Sequence, residues 1–194
     1  MFVLLSLILI IEADSMKNKR VVFCDLDGTL IQTLNGSPFP KGIWDMKLKM
    51  EVWKALKLHF DQITQDGSIG FLFIVSNQGG IERGLLNMSA FDAKISYVKE
   101  AIQGFVGRKV LVDYSFTPSN NPADFLRKPN PGMLDNLVKK WRVYHSDMPK
   151  EHYLMIGDAS GKPGQFSDSD YLCAKNFGID YMDVDDYVLA LNRK

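Results

Sequence analysis

A short apolar run near the start of the chain constrains the fold more than any other feature. Residues 21–24 (VVFC) are β-branched, aromatic or otherwise apolar with no polar alternation, and Gly28 soon closes the run. This pattern predicts a strand buried on both faces, as in parallel sheets covered by helices. Asp25 and Asp27 follow directly, and residues two apart on an extended chain point the same way, with Cα atoms roughly 6.5–7 Å apart. We therefore predict an acidic pocket at the strand end, which needs a cation or a shared proton.

Two other interpretations of this acidic segment have to be weighed. An acidic turn is one, because a bare D-x-D-G occurs without any site. A calcium-binding loop is the other, because such loops also begin with D-x-D. The calcium loop fails on register, since its glycine position falls on Leu30 and its glutamate position falls on Gly36. The choice between a turn and a site depends on the rest of the chain.

The remaining pattern alternates strands with helices. Apolar runs predict further strands at residues 70–75, 110–114, 153–156 and 179–182. Apolar residues three or four apart predict helices between them, in the sets Leu48, Val52, Leu56, Phe60; Phe91, Ile95, Val98, Ile102; and Leu134, Leu137, Val138, Trp141. Loops rich in Pro, Gly, Ser or Asn fall at 35–42, 118–131 and 159–168. This order predicts an α/β fold with a mostly parallel sheet and helices on both faces.

Polar side chains follow several of these strands. Open parallel sheets bind ligands at the carboxyl ends of their strands. Ser76 and Asn77 follow the second predicted strand, Asp158 follows the fourth, and Lys128 precedes the third helix. The sequence therefore places an acidic pair, a hydroxyl and an amide, a lysine and a third acid on one rim.

These residues permit phosphoryl transfer. A carboxylate can attack phosphorus and form an acyl phosphate, and the two anions then require a cation such as Mg²⁺, which prefers oxygen ligands. We predict Asp25 as nucleophile and Asp27 as general acid and base, with Asp25, Asp27 and Asp158 as the Mg²⁺ ligands. Ser76, Asn77 and Lys128 are the predicted phosphate-binding residues, and Lys128 would stabilise charge developing on the phosphoryl group.

The four segments together resemble the haloacid dehalogenase (HAD) superfamily of phosphatases. Asp25-Leu26-Asp27-Gly28-Thr29-Leu30 resembles its first motif, and Ser76, Lys128 and Gly157-Asp158 resemble the second, third and fourth. The resemblance runs from about Val21 to the end of the chain. It implies a HAD-like Rossmannoid fold and an aspartyl-phosphate mechanism.

Within that superfamily the chain resembles in particular the 3′-phosphatase domain of polynucleotide kinase 3′-phosphatases. Three segments carry this likeness: residues 36–40 before Trp44, residues 77–84 (NQGGIERG), and residues 157–161 followed by 166–170. The resemblance implies a nucleic-acid 3′ end as substrate, DNA above RNA, and a role in DNA end processing and repair. It adds Thr29, Arg83 and Asp170 as secondary site residues, with Asp170 orienting a basic or metal-bound group.

Other functions remain open. Histidinol-phosphate and heptose-bisphosphate phosphatases share the 77–84 and 127–133 patterns, but they usually carry a Cys/His zinc loop before the lysine, and residues 116–125 contain neither Cys nor His. We therefore expect no zinc.

An inactive interaction module is a further alternative. No G-x-x-x-x-G-K-[ST] motif occurs, so we expect no kinase half. The short segments between motifs predict no large cap domain, and hence an open site.

Composition places few further limits. The chain has 194 residues, 23 basic and 23 acidic, which argues against a protein that coats a polyanion. Residues 16–194 are predicted to form one domain. The two cysteines, in apolar runs, suit the cytoplasm or another reducing compartment.

Residues 1–15 are mostly apolar, but too short to span a bilayer. We favour a start site assigned too far upstream; an export signal, a weak anchor and an added structural element stay open. No stable membrane association is expected, and the oligomeric state is not predicted.

Overall fold

The computed structural model describes residues 16, 18–37, 39–145 and 148–192. The strands are β1 Val21–Cys24, β2 Ile31–Thr33, β3 Met46–Leu48, β4 Gly70–Asn77, β5 Val110–Thr117, β6 Tyr153–Gly157 and β7 Asp180–Asp183. The centre of the fold is a sheet of five parallel strands in the order β5-β4-β1-β6-β7. The helices are α1 Met50–Ile63, α2 Met88–Val106, α3 Gly132–Lys140, α4 Arg142–His145, α5 Ser169–Phe177 and α6 Val184–Asn192. Short 3-10 helices occur at Ile43–Asp45 and Lys150–His152.

Helices cover both faces of the sheet, as the buried strand predicted. Side chains alternate across a strand, so Val22 and Cys24 point to one face while Val21 and Phe23 point to the other. The first face packs against α1, α2 and α6, and the second packs against α3 and α5. All four residues of β1 are fully buried. The predicted α/β class and the mostly parallel sheet are confirmed.

A small antiparallel hairpin next to β1 differs from the prediction. Leu48 belongs to β3, where it pairs with Ile31 of β2, and is not part of the first helix. The Leu30 carbonyl accepts hydrogen bonds from the backbone N–H of Lys49 and from the indole N–H of Trp53. These bonds fix the start of α1 to the chain that leaves the acidic segment. Helices α5 and α6 were also absent from the sequence prediction.

The segments that connect the core elements are small in the described residues. Residues 25–49 hold the hairpin and one 3-10 helix, and residues 118–131 hold neither strand nor helix. This agrees with the prediction of no large cap. The predicted apolar segment 1–15 lies outside the described residues. Among the described helices, none combines the length and apolar character that crossing a bilayer requires.

Candidate active site

Three carboxylates meet at the carboxyl end of the sheet. Asp25 follows β1, Asp158 follows β6, and Asp170 lies in the first turn of α5. One oxygen from each lies within 4.8 Å of the others. Asp25 and Asp170 are buried, while Asp158 is partly exposed. The predicted pairing of Asp25 with Asp158 is therefore present, and Asp170, predicted only as a secondary residue, is the third member.

Lys128 joins two of these acids. Its ammonium lies 2.5 Å from Asp25 Oδ1 and 2.8 Å from Asp170 Oδ1, and it donates to the Val75 carbonyl at 2.9 Å. Burial alone would lower the pKa of Lys128, but Asp170 and Asp25 more than offset it and raise that pKa above its ordinary value. Lys128 therefore stays positively charged at the centre of the cluster. It donates hydrogen bonds to Asp25 and to the Val75 carbonyl, and it forms an ion pair with Asp170.

The charges of this cluster fit a divalent cation. Three carboxylates against the single ammonium of Lys128 leave two negative charges when all are ionised. Burial raises the pKa of Asp25 well above its usual range, and burial together with Asp170 raises that of Asp158. A cation would favour the ionised carboxylates, and hard oxygen donors suit Mg²⁺. Asp25, Asp158 and Asp170 are the residues that would hold it.

Two glycines let the acids pack against the backbone. A Cβ at Gly28, whose φ is +89°, would stand 2.1 Å from Asp158 Oδ2. A Cβ at Gly157 would stand 2.2 Å from Asp170 Oδ2. The hydroxyl of Thr29 donates to Asp158 Oδ1 at 3.2 Å, which gives this predicted secondary residue a place at the site. The carboxylates are thus fixed by close contact as well as by charge.

The carboxylate of Asp27 has different neighbours from those predicted for a metal ligand. It is not a member of the acidic cluster formed by Asp25, Asp158 and Asp170. Lys94 Nζ lies 3.0 Å from its Oδ1, and Gln78 Nε2 donates to its Oδ2 at 2.6 Å. Because Asp27 points to a buried lysine, the structure places its side chain beside the cluster. Its predicted parts in metal binding and in proton transfer both stay predictions, and the metal-binding part does not rest on membership of this side-chain cluster.

The two residues predicted to bind phosphate at the end of β4 differ in what they do. The Oγ of Ser76 accepts from Gln78 Nε2 at 2.7 Å, which leaves the hydroxyl hydrogen as a donor. Asn77 uses its side chain elsewhere: it donates to the Lys128 carbonyl and accepts from the Lys128 N–H, both at 2.9 Å. The amide of Asn77 therefore positions Lys128, and its predicted contact with phosphate stays a prediction.

The basic residues around the rim are mostly occupied by local contacts. Arg83 is exposed, and its Nε donates to the Gly79 carbonyl at 3.3 Å. Arg127 donates to the Ser119 carbonyl at 2.7 Å. Lys162 pairs with Asp183 and Asp186 at 3.2 and 2.7 Å, so its charge is already compensated.

Sequence reasoning missed Lys94 and Gln78. Lys94 lies within the apolar stripe of α2, three residues after Phe91 and four before Val98, and is fully buried. A lysine in such a stripe is a signal, because lysine is almost never fully buried unless it is paired. Gln78 gave no comparable signal, since it follows Asn77 in a polar segment.

Most of the chain is similar to known proteins. The sequence profile described as "Polynucleotide kinase 3 phosphatase" matches residues 20–188. An uncharacterised 20.8 kDa protein of Autographa californica nuclear polyhedrosis virus is 31% identical over 182 residues, which cover 90% of this chain and 88% of that protein. The bifunctional polynucleotide phosphatase/kinase of Schizosaccharomyces pombe is 29% identical over 90% of this chain, and the chain spans only 38% of it. The D-glycero-beta-D-manno-heptose-1,7-bisphosphate 7-phosphatase of Helicobacter pylori is 26% identical over 74% of this chain and 75% of its own length.

Solved structures show the same fold. D,D-heptose 1,7-bisphosphate phosphatase from B. bronchiseptica, complexed with magnesium and phosphate, superposes with a TM-score of 0.60 at 20% identity, over 84% of this chain and 78% of that one. A HAD-like phosphatase from Mesorhizobium loti superposes with a TM-score of 0.55 at 21% identity, over 88% and 85% of the two chains. The predicted HAD-like arrangement is confirmed.

Proposed function

The chain belongs to the polynucleotide kinase 3 phosphatase family and is a HAD-type phosphatase, and we propose that it removes terminal 3′-phosphates from polynucleotides through an aspartyl-phosphate. The observation that carries this proposal is the contact of Lys128 with both Asp25 and Asp170 beside Asp158. That arrangement offers a carboxylate nucleophile, a fixed positive charge and a set of oxygen ligands in one pocket.

In the first step Asp25 attacks the phosphorus atom. Lys128 holds Asp25 Oδ1, so the attack is assigned to the other carboxylate oxygen. The new O–P bond forms as the bond between phosphorus and the 3′ oxygen breaks, and Asp27, which enters this step protonated, gives its proton to the departing oxygen. Ser76 donates its hydroxyl hydrogen to a phosphoryl oxygen. Mg²⁺, when bound by Asp25, Asp158 and Asp170, offsets the negative charge of the nucleophile and the phosphoryl group.

In the second step water releases the phosphate. Asp27, now ionised, takes a proton from the water molecule whose oxygen attacks phosphorus, and the bond from phosphorus to Asp25 breaks. Inorganic phosphate leaves, and both aspartates return to their starting states. Asp170 stays beside Lys128 while Asp25 carries the phosphoryl group, and its carboxylate continues to favour the charged form of the ammonium.

A polynucleotide end is favoured as the substrate by three observations. The family profile covers residues 20–188, and the S. pombe relative is a polynucleotide phosphatase/kinase. The described segments around the rim are short and form no large cap, which leaves room for a polymer. DNA is proposed above RNA, with a role in end repair. Because basic and acidic residues balance and Lys162 is already paired with Asp183 and Asp186, we expect few backbone phosphates to be contacted and a log–log salt slope of binding on the order of −1 to −3.

A substrate panel tests this proposal. The wild-type protein with Mg²⁺ is compared on oligonucleotides with a 3′-phosphate or a 5′-phosphate, in DNA and RNA, and on histidinol phosphate and heptose bisphosphate. We expect the 3′-phosphorylated DNA oligonucleotide to have the highest kcat/KM. A higher value for a small metabolite would assign the chain to the metabolite phosphatases, and no phosphate release from any substrate would favour an inactive interaction module.

A further inference from the structure

A buried lysine outside the acidic cluster contacts Asp27, the proposed general acid and base. Lys94, on α2, is 0% exposed. Its Nζ lies 3.0 and 3.4 Å from the two oxygens of Asp27 and 3.1 Å from the Pro40 carbonyl. A buried charge is costly unless it is paired and hydrogen-bonded, so this lysine is held in place by its partners.

The Asp27 carboxylate accepts hydrogen bonds from two different elements of the fold. Lys94 approaches from α2, and Gln78 Nε2 donates from the end of β4 at 2.6 Å. The same Gln78 nitrogen also donates to Ser76 Oγ at 2.7 Å, so the two N–H groups of that amide have two acceptors. The carboxyl group is thereby held in one orientation relative to Ser76 and to the pocket. Proton transfer in the transition state depends on such placement, because donor and acceptor must come within about 3 Å.

Lys94 also reaches beyond Asp27. Its third contact, the Pro40 carbonyl, belongs to the loop that precedes the 3-10 helix Ile43–Asp45. The Lys94 ammonium therefore connects Asp27 to the segment of chain between strands β2 and β3. Lys94 is fully buried and its ammonium is held by Asp27 and the Pro40 carbonyl, so we assign its effect on the reaction to Asp27 and not to direct contact with the phosphate.

We propose that Lys94 is a positioning residue that aims the Asp27 carboxyl group at the departing oxygen. The proposal rests on the proposed function, in which Asp27 protonates that oxygen. The Lys94 side chain therefore matters most for esters whose leaving oxygen needs a proton. It matters least for esters whose leaving group departs as a stable anion.

Leaving-group dependence tests this. We would measure kcat/KM for p-nitrophenyl phosphate, for a series of phenyl phosphates with less acidic phenols, and for a 3′-phosphorylated oligonucleotide. These kcat/KM values report steps up to release of the alcohol, so the later attack by water does not enter. For Lys94→Met we expect a loss of about 100-fold on the oligonucleotide, within the range for general acid catalysis, and only a few-fold on p-nitrophenyl phosphate. Equal losses along the series would overturn the proposal, because a merely structural role lowers all of them alike.

Two further variants complete the experiment. Lys99→Met is the control on the same helix. The Lys99 ammonium lies 3.5 Å from the Asp113 carboxylate, which is not part of the acidic cluster, so this variant should leave kcat/KM unchanged for every ester of the series. The double variant Asp27→Asn/Lys94→Met has no unpaired buried charge, so it can be measured even if Lys94→Met does not fold. It should match Asp27→Asn alone across the series, and a clear further loss would overturn the proposal.

The same data separate this proposal from the proposed function. If the wild type hydrolyses none of the esters, or if Asp27→Asn shows no leaving-group dependence, the assigned role of Asp27 fails and the Lys94 proposal fails with it. If Asp27→Asn shows the dependence and Lys94→Met does not, only the role of Lys94 is refuted.

Discussion

The amide of Asn77 provides a sharp test of how Lys128 is placed. Asn77, the last residue of β4, makes two hydrogen bonds of 2.9 Å to the backbone N–H and C=O of Lys128, 51 residues away. Asn77→Ala removes both bonds and leaves two backbone groups of the loop without these partners. The backbone of Lys128 can then shift, and its ammonium moves relative to Asp25.

The expected magnitudes follow from these two bonds. A hydrogen bond contributes about 0.5–1.5 kcal/mol net, so we expect the free energy of unfolding to fall by about 1–3 kcal/mol. Activity should fall by more. Misplacing a catalytic group by about 1 Å can cost on the order of 100-fold in rate, so we expect kcat to drop by about 10- to 1000-fold.

A matched control separates stability from activity. Asn130 makes two hydrogen bonds within the same loop, to the carbonyls of Pro122 and Asp124 at 3.0 and 2.8 Å, and it does not contact Lys128 through its side chain. Urea unfolding and kcat would be measured for both alanine variants. Asn130→Ala should lose a similar stability and keep its kcat. An Asn77→Ala protein with kcat within twofold of wild type would refute the reasoning.

Three more predictions concern the nucleophile, the metal and a buried histidine. Asp25→Asn should lose several powers of ten in kcat, at about 1.4 kcal/mol per tenfold, and mass spectrometry should find no phosphoryl group on any other residue. Asp158→Ala should abolish both turnover and the rise in Tm that Mg²⁺ gives the wild type; full activity in EDTA would contradict the metal requirement. Burial lowers the pKa of His59 from 6.5 to about 4, so the unfolded chain binds the proton first and stability falls as pH drops from about 6.5 to 4. The loss of roughly 3 kcal/mol should appear in urea unfolding of the wild type and be absent in His59→Gln.

The parts of the fold with long regular patterns were predictable. A run of consecutive apolar residues such as 21–24 indicates a strand that is buried on both faces of a parallel sheet. The acids that follow Cys24 and Gly157 then lie at the same edge of that sheet, because the carboxyl ends of parallel strands meet there. The β2–β3 hairpin was not predictable in this way, because strands of three residues are too short to show a period. Leu48 therefore entered the helical pattern of α1.

The site was predictable where chemistry follows a strand, and less so where it depends on tertiary contacts. Asp25, Asp158 and Lys128 come together as predicted. The partner of Asn77 could not be read from the sequence, since it depends on how loop 118–131 docks on β4. The pairing of Asp27 with Lys94 spans 67 residues and is formed only when α2 packs on the sheet.

The missing side chains of Gly28 and Gly157 have a thermodynamic consequence. Asp158 and Asp170 occupy the space that a Cβ at these positions would fill, and contacts from Thr29 and Lys128 hold their carboxyl groups there. Their rotational entropy is therefore lost when the chain folds, and little of it remains to be lost when a ligand arrives. The absence of a Cβ at Gly28 and at Gly157 therefore contributes to the affinity of this pocket for a ligand.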